Sequence, residues 1–219
     1  MTRADEIAAN VALVRERISR AAERAGRDPA GVLLVAVTKT KPLEDAHAAY
    51  AAGIRAFGEN RVQEAEAKFP SLPADAERHL IGPIQSNKAN RAARIAAVVQ
   101  TVDSADIARR LARAAETAGK RLRVFLEIRL GGETTKAGVD PPEAAALAGE
   151  VRNLPALELA GLMTIPPPGD TRIHFRTLRR LASELGLTEL SMGMSDDFEA
   201  AVEEGATLVR IGTALFGSR

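Results

Sequence analysis

The chain has 219 residues, is 46% hydrophobic and carries a formal net charge of +1; that length suits one barrel or one α/β sheet, and the charge balance speaks against nucleic-acid binding. Cysteine is absent, which excludes disulfides, a thiolate nucleophile and a Cys-ligated metal. The first residues enter an amphipathic pattern, and no apolar run nears the roughly 20 residues that cross a bilayer, so a soluble, cytoplasmic protein with no membrane partner is expected.

Residues 3–26 set Ile7, Val11, Val14 and Ile18 on one stripe, which predicts an N-terminal helix ended by Gly26 and Pro29. Apolar, β-branched runs then follow at 32–38, 56–59, 78–82, 98–103, 124–130, 157–165, 189–193 and 207–216. Ala-rich helical stretches separate them, including 42–52, 87–97, 105–118, 142–152, 173–185 and 196–204, several closed by glycine as at Gly53, Gly119, Gly186 and Gly205. The Arg-rich stretch from Arg109 to Arg123 has helical spacing and reads as a solvated face. Near-continuous apolar strands alternating with helices indicate a parallel sheet covered by helices. Eight such units give a single (β/α)8 barrel of the TIM type over residues 1–219, with the first helix as an extra element. An open doubly wound sheet is the alternative, but no Gly-rich fingerprint follows the first strand. Pro166, Pro167, Pro168, Gly169 and Asp170 form a rigid loop after the sixth strand.

In such barrels the working residues lie at the C-terminal ends of the strands. The first end carries Lys39, followed by Thr40-Lys41-Pro42. A lysine there is either a desolvated amine able to attack an aldehyde or a cation snorkelling from the rim; position alone leaves both open. The seventh end gives Ser195-Asp196-Asp197 at the start of a helix, and the eighth gives Gly212-Thr213. Small residues and free N–H groups there suit a phosphate, against the alternative of an ordinary capped helix. Arg210, between Val209 and Ile211, faces either the barrel mouth, where a ring nitrogen or carboxylate would satisfy it, or a structural acid. The fifth end reads Gly131-Gly132-Glu133-Thr134-Thr135-Lys136. His47, His79 and His174 show no ligand spacing, so no metal is expected. No GxGxxG, Walker loop or supported Ser-His-Asp pattern occurs.

Taken together, several blocks resemble the pyridoxal phosphate homeostasis proteins, the YggS/PROSC family. They are Val35-Ala36-Val37-Thr38-Lys39-Thr40-Lys41-Pro42, Phe57-Gly58-Glu59-Asn60, His79 to Lys88, Gly161 to Pro166, Leu190 to Phe198 and Val209 to Gly217. They run in order from residue 35 to residue 217. The resemblance implies a barrel similar to the alanine racemase N-terminal domain that binds pyridoxal 5′-phosphate (PLP). It implies a Schiff base on Lys39, phosphate contacts from Ser195, Gly212 and Thr213, and Arg210 facing the pyridine nitrogen. Asn60 and Met192 would lie around the cofactor. Two positions depart from the family pattern: Arg129 stands where Asn is usual, and Arg78 where an aromatic residue usually precedes His79. The loop after Pro166 is also short for the family.

The chemistry expected of that arrangement is custody of the cofactor. An arginine opposite the ring nitrogen, already a donor, keeps that nitrogen unprotonated and weakens the electron sink. Racemisation needs a second acid/base on the opposite substrate face. In alanine racemases a Tyr from a separate C-terminal domain supplies it, whereas this chain ends at Arg219 and its one Tyr, Tyr50, lies in a helical run. The leading expectation is a protein, expected monomeric, that buffers PLP or delivers it to PLP-dependent apo-enzymes. An amino-acid racemase or related PLP enzyme, and a lysine Schiff-base aldolase, are the alternatives.

Overall fold

A computed structural model describes residues 1–131 and 137–218. The first helix, α1 (Arg3–Arg24), opens with a capping box between Thr2 and Asp5 and buries Ile7, Val11, Val14 and Ile18 as the stripe predicts. It is fastened by ion pairs from Arg17 to Glu199 and from Arg24 to Glu203, and Arg17 lies 4.6 Å from the ring centre of Phe198.

The strands β1 (Leu33–Val37), β2 (Ala56–Glu59), β3 (Glu77–Leu80), β4 (Val98–Val102), β5 (Leu122–Glu127), β6 (Leu157–Met163), β7 (Glu189–Ser191) and β8 (Leu208–Ile211) pair in parallel as a closed barrel. Closure is explicit: β1 pairs with β2 through Val35↔Ala56 and with β8 through Val35↔Arg210. The open-sheet alternative is thereby set aside. Outside the barrel run α2 (Leu43–Ala51), α3 (Val62–Lys68), α4 (Ala89–Ile95), α5 (Ala105–Thr117), α6 (Ala144–Arg152), α7 (Arg172–Glu184), α8 (Phe198–Glu203) and α9 (Thr213–Phe216).

Two of these helices depart from the sequence reading. α3 is absent from the sequence pattern because it is seven residues long, mostly polar, and buries only Val62 and Ala65. The run 207–216 is not one strand: β8 stops at Ile211 and the apolar residues Leu215 and Phe216 continue as α9, buried against the body. A short apolar run does not distinguish strand from helix by periodicity. The expected strands 124–130 and 157–165 are likewise shorter, ending at Glu127 and Met163.

Strand alternation divides the buried residues into two sets. Val35, Ala56, Val98, Phe125, Met163 and Leu208 pack together, and the equivalence of Val35 with Arg210 sets them in the lumen. A much larger set, including Phe57, Leu80, Leu126, Leu190 and Val209, packs between barrel and helices. Of the Arg-rich stretch, Arg109, Arg110 and Arg113 lie on a solvated face of α5, with Arg109 on Glu150 of α6 and Arg110 on Asp106, whereas the helix ends at Thr117 and Arg123 belongs to β5.

Gly193, which turns the chain from β7 toward α8, has φ +94°, and a Cβ there would lie 2.5 Å from the Cβ of Ala201. Both the left-handed backbone and the contact exclude a larger residue. Gly193→Ala should therefore cost about 2–4 kcal/mol in a denaturant titration; an effect under about 0.5 kcal/mol would contradict this account of the turn.

Candidate functional site

At the C-terminal mouth of the barrel lies a cavity of about 220 Å³. Lys39, Asn60, Ser195, Arg210, Gly212 and Thr213 all line it, although they come from four different strand ends. Lys39 stands two residues past β1, in a turn closed by the Lys41 N–H donating to the Thr38 carbonyl at 3.0 Å. It is half-buried. Thr40 follows with φ +63°, the one non-glycine residue of positive φ among the described residues, and its N–H donates to Glu64 Oε2 at 3.1 Å. A β-branched residue in the left-handed region stores strain. Lys41 also lines the cavity, but its ammonium donates to the carbonyls of Phe216, Gly217 and Ser218 and so ties α9 to the β1 turn.

Beneath this turn the Glu59 carboxyl accepts the Thr38 hydroxyl at 2.7 Å and the Lys68 ammonium at 2.8 Å. Lys68 also donates to the Thr38 carbonyl at 2.6 Å. Burial pushes the Glu59 carboxyl up, opposed by the bonds from Lys68 and Thr38. The short helix α3 thus serves to bring Lys68 under Lys39. Asn60 is held from β3: a Cβ on Gly82 would stand 2.3 Å from the Asn60 carbonyl oxygen, so only glycine allows that approach.

The opposite side of the cavity is a candidate anion cradle, assembled from Ser195 and the start of α9. Asp197 occupies the N-cap position of α8, and its carboxylate accepts the Met194 N–H at 2.7 Å rather than a helix amide. Ser195 instead accepts the Ala214 N–H of α9 at 3.2 Å. Gly212 is the N-cap of α9; the Leu215 and Phe216 N–H groups return to its carbonyl, so Thr213 at the start of the helix and the Ser195 hydroxyl share one wall. A Cβ on Gly212 would crowd the Val37 carbonyl at 3.3 Å. Met192 is not part of the wall. Its side chain lies wholly in the core between barrel and helices, because Ser191 before it takes the lumen side; Met194, two residues on, lines the cavity.

Arg210 is 3% exposed, yet its guanidinium borders the cavity. It donates to Ser191 Oγ at 2.6 Å and to the Thr164 carbonyl at 2.9 Å. Burial lowers its pKa to about 10, with the charges of Glu127 and Asp197 opposing; it remains a cation at neutral pH. The structural-acid reading is partly met by Glu127, a residue that the strand pattern does not single out. That residue ends β5, is 7% exposed, and its Oε2 has no hydrogen-bond partner among the described residues. Burial, reinforced by Asp103 and opposed by Arg210, raises it to about 7. A charged residue between Leu126 and Ile128 in an apolar run was the available signal.

The two departures from the family pattern each have a partner. Arg129 forms a two-pronged pair with Asp140, at 2.9 and 2.8 Å. Arg78 donates to the carbonyls of Phe69, Leu72 and Pro73, pinning the segment before β3. Of the expected fifth-strand end, residues 132–136 lie outside the described residues. Tyr50 lies on α2 with its hydroxyl donating to Asp75 at 2.6 Å.

Comparison with known proteins gives a consistent set of relatives. A family model described as alanine racemase, N-terminal domain, matches residues 4–219. A pyridoxal phosphate homeostasis protein from Pseudomonas aeruginosa is 50% identical, the match covering 97% of this chain and 96% of that one. One of the same name from Escherichia coli K12 is 42% identical, over 98% and 97%. The structure of PipY from Synechococcus elongatus with PLP bound is similar at TM-score 0.85 and 40% identity, covering 96% of this chain and all of that one. An alanine racemase from Clostridium difficile, at 16% identity and TM-score 0.76, shares the fold and is matched over 57% of its length.

The raised Glu127 carboxyl has a consequence for stability. The folded state holds this proton more tightly than the unfolded chain, so its contribution is most favourable below about pH 4.5 and is lost as pH rises through about 7. Glu127→Gln should therefore be more stable than wild type by about 1–3 kcal/mol at pH 8, with the gain shrinking toward pH 5. Denaturant titrations at both pH values would contradict this if the difference were the same.

Proposed function

The chain belongs to the pyridoxal phosphate homeostasis proteins, and from that premise we propose that it holds PLP covalently on Lys39 and serves to store or hand over the cofactor. The observation that carries this reading is convergence: an amine, an amide-and-hydroxyl cradle and a buried guanidinium share one 220 Å³ cavity. Each suits one part of a phosphorylated pyridine aldehyde.

When bound, PLP supplies an aldehyde that condenses reversibly with amines. Lys39 offers the amine, on a turn held rigid from below by Thr38, Glu59 and Lys68. Ser195, Gly212 and Thr213, which line the cavity at the start of α9, would hold the phosphate. Arg210, which only donates, would face the pyridine nitrogen and favour its unprotonated form. Asn60 closes the wall beside the ring.

Custody is the reading favoured over racemisation. A weak electron sink disfavours amino-acid chemistry, and the one tyrosine faces Asp75 on an outer helix rather than the cavity. Reversible attachment at a half-exposed mouth suits transfer to PLP-dependent apo-enzymes, the proposed recipients. In solution the wild type mixed with PLP should develop the visible absorption band of the covalently held cofactor. Lys39→Ala should abolish the band, whereas Lys41→Ala should keep it. A band that survives Lys39→Ala, or none in the wild type, would contradict the reading.

A further inference from the structure

Below the cavity, polar side chains run beside the apolar filling of the lumen as one continuous file. Arg210 donates to Ser191 Oγ; Ser191 Oγ lies 2.7 Å from Gln100 Oε1; Gln100 Nε2 lies 2.9 Å from His79 Nδ1; His79 Nε2 lies 2.9 Å from Glu77 Oε2. Glu77 then meets Arg123 at 3.3 Å, and Arg123 reaches Glu189 of β7 and Glu158 of β6. Ser191, Gln100 and His79 are fully buried. Arg210 borders the cavity at one mouth, and Arg123 borders a wider cavity of about 860 Å³ at the other. The file therefore spans the barrel from mouth to mouth.

Its direction follows from the chemistry of its first member. A guanidinium only donates, so Ser191 must accept from Arg210 and has its own proton to give to the Gln100 oxygen. The Gln100 amide must then face His79 Nδ1, which must be the ring's acceptor. The ring proton sits on Nε2 and is given to Glu77. The reverse setting would bring two donors to Ser191 and strand its proton in the core. It would also demand protons on both ring nitrogens, since Nε2 faces a carboxylate. A buried polar network is stable only when every member is satisfied, and only one polarity satisfies this one.

We propose that Ser191, Gln100 and His79 are positioning residues for Arg210, a one-way hydrogen-bond file that fixes the guanidinium's orientation toward the cofactor ring from inside the barrel. The effect on the cofactor rests on the reading of Arg210 given above; the polarity of the file does not. None of the three touches the cofactor cavity, so they act through Arg210.

The test uses ¹⁵N NMR on the full-length, PLP-free protein at pH 8. His79 should be protonated at Nε2, with a coupling across the hydrogen bond joining Gln100 Nε2 to His79 Nδ1. Separate, slowly rotating Arg210 Nη signals should also be seen. Protonation at Nδ1 would overturn the proposal without reference to PLP. In Ser191→Ala the Arg210 signals should collapse and PLP affinity should fall about tenfold, the scale of one hydrogen bond to a charged group. Ser191→Thr, which keeps the hydroxyl, should restore both. Gln100→Leu, cutting the next link, should reproduce the collapse if Ser191→Ala does not fold. Unchanged Arg210 signals in either cut variant would overturn the positioning role. A wild type with the expected signals that takes up no PLP would instead overturn the cofactor reading and leave the file standing.

Discussion

A guanidinium that cannot discharge, enclosed in a barrel lumen, imposes its needs on everything around it. Arg210 is level with Val35 in the sheet, where a barrel of eight strands has room only for side chains. A buried cation without acceptors would be untenable there. The Thr164 carbonyl, the Ser191 hydroxyl and the nearby charge of Glu127 answer that need. Each comes from a different strand, so the charge can be held only when β5, β6, β7 and β8 are in register. The cavity's electrostatics and the polar filling of the lumen are thus two consequences of one burial.

The remaining wall is held with similar economy of parts. Lys41 and Arg3 both donate to the Phe216 carbonyl, which fixes α9 and therefore the amides around Gly212. Lys68, arriving on α3, braces Thr38 and Glu59 beneath the Lys39 turn. The strained Thr40 backbone persists because these contacts surround it. The Lys39 amine is half-buried, while Thr38 and Glu59 beneath it are buried, which suits an attachment that must both hold and release.

The barrel was legible because parallel strands covered on both faces read as apolar runs; the strand ends then offered Lys39, Ser195, Arg210, Gly212 and Thr213 as candidates, and the family resemblance chose among their readings and added Asn60. What escaped the reading depended on parity and register. Met192 and Met194 are equivalent in composition, but alternation sends Met192 into the helix layer and the turn at Gly193 brings Met194 to the cavity. Gln100, His79 and Ser191 are far apart in sequence and meet only through barrel closure. Glu127 stood in plain view, yet its isolation emerges only when its neighbours are known. The end of β8 was misread because Leu215 and Phe216 are as apolar in a helix as in a strand.

The central claim is that one lysine, Lys39, carries the cofactor. Borohydride reduction of the PLP-loaded protein, followed by peptide mapping in a mass spectrometer, addresses it directly. The account predicts a single pyridoxyl adduct on Lys39, with Lys41 unmodified although it lines the same cavity. An adduct on Lys41 or Lys68 in place of Lys39 would contradict it.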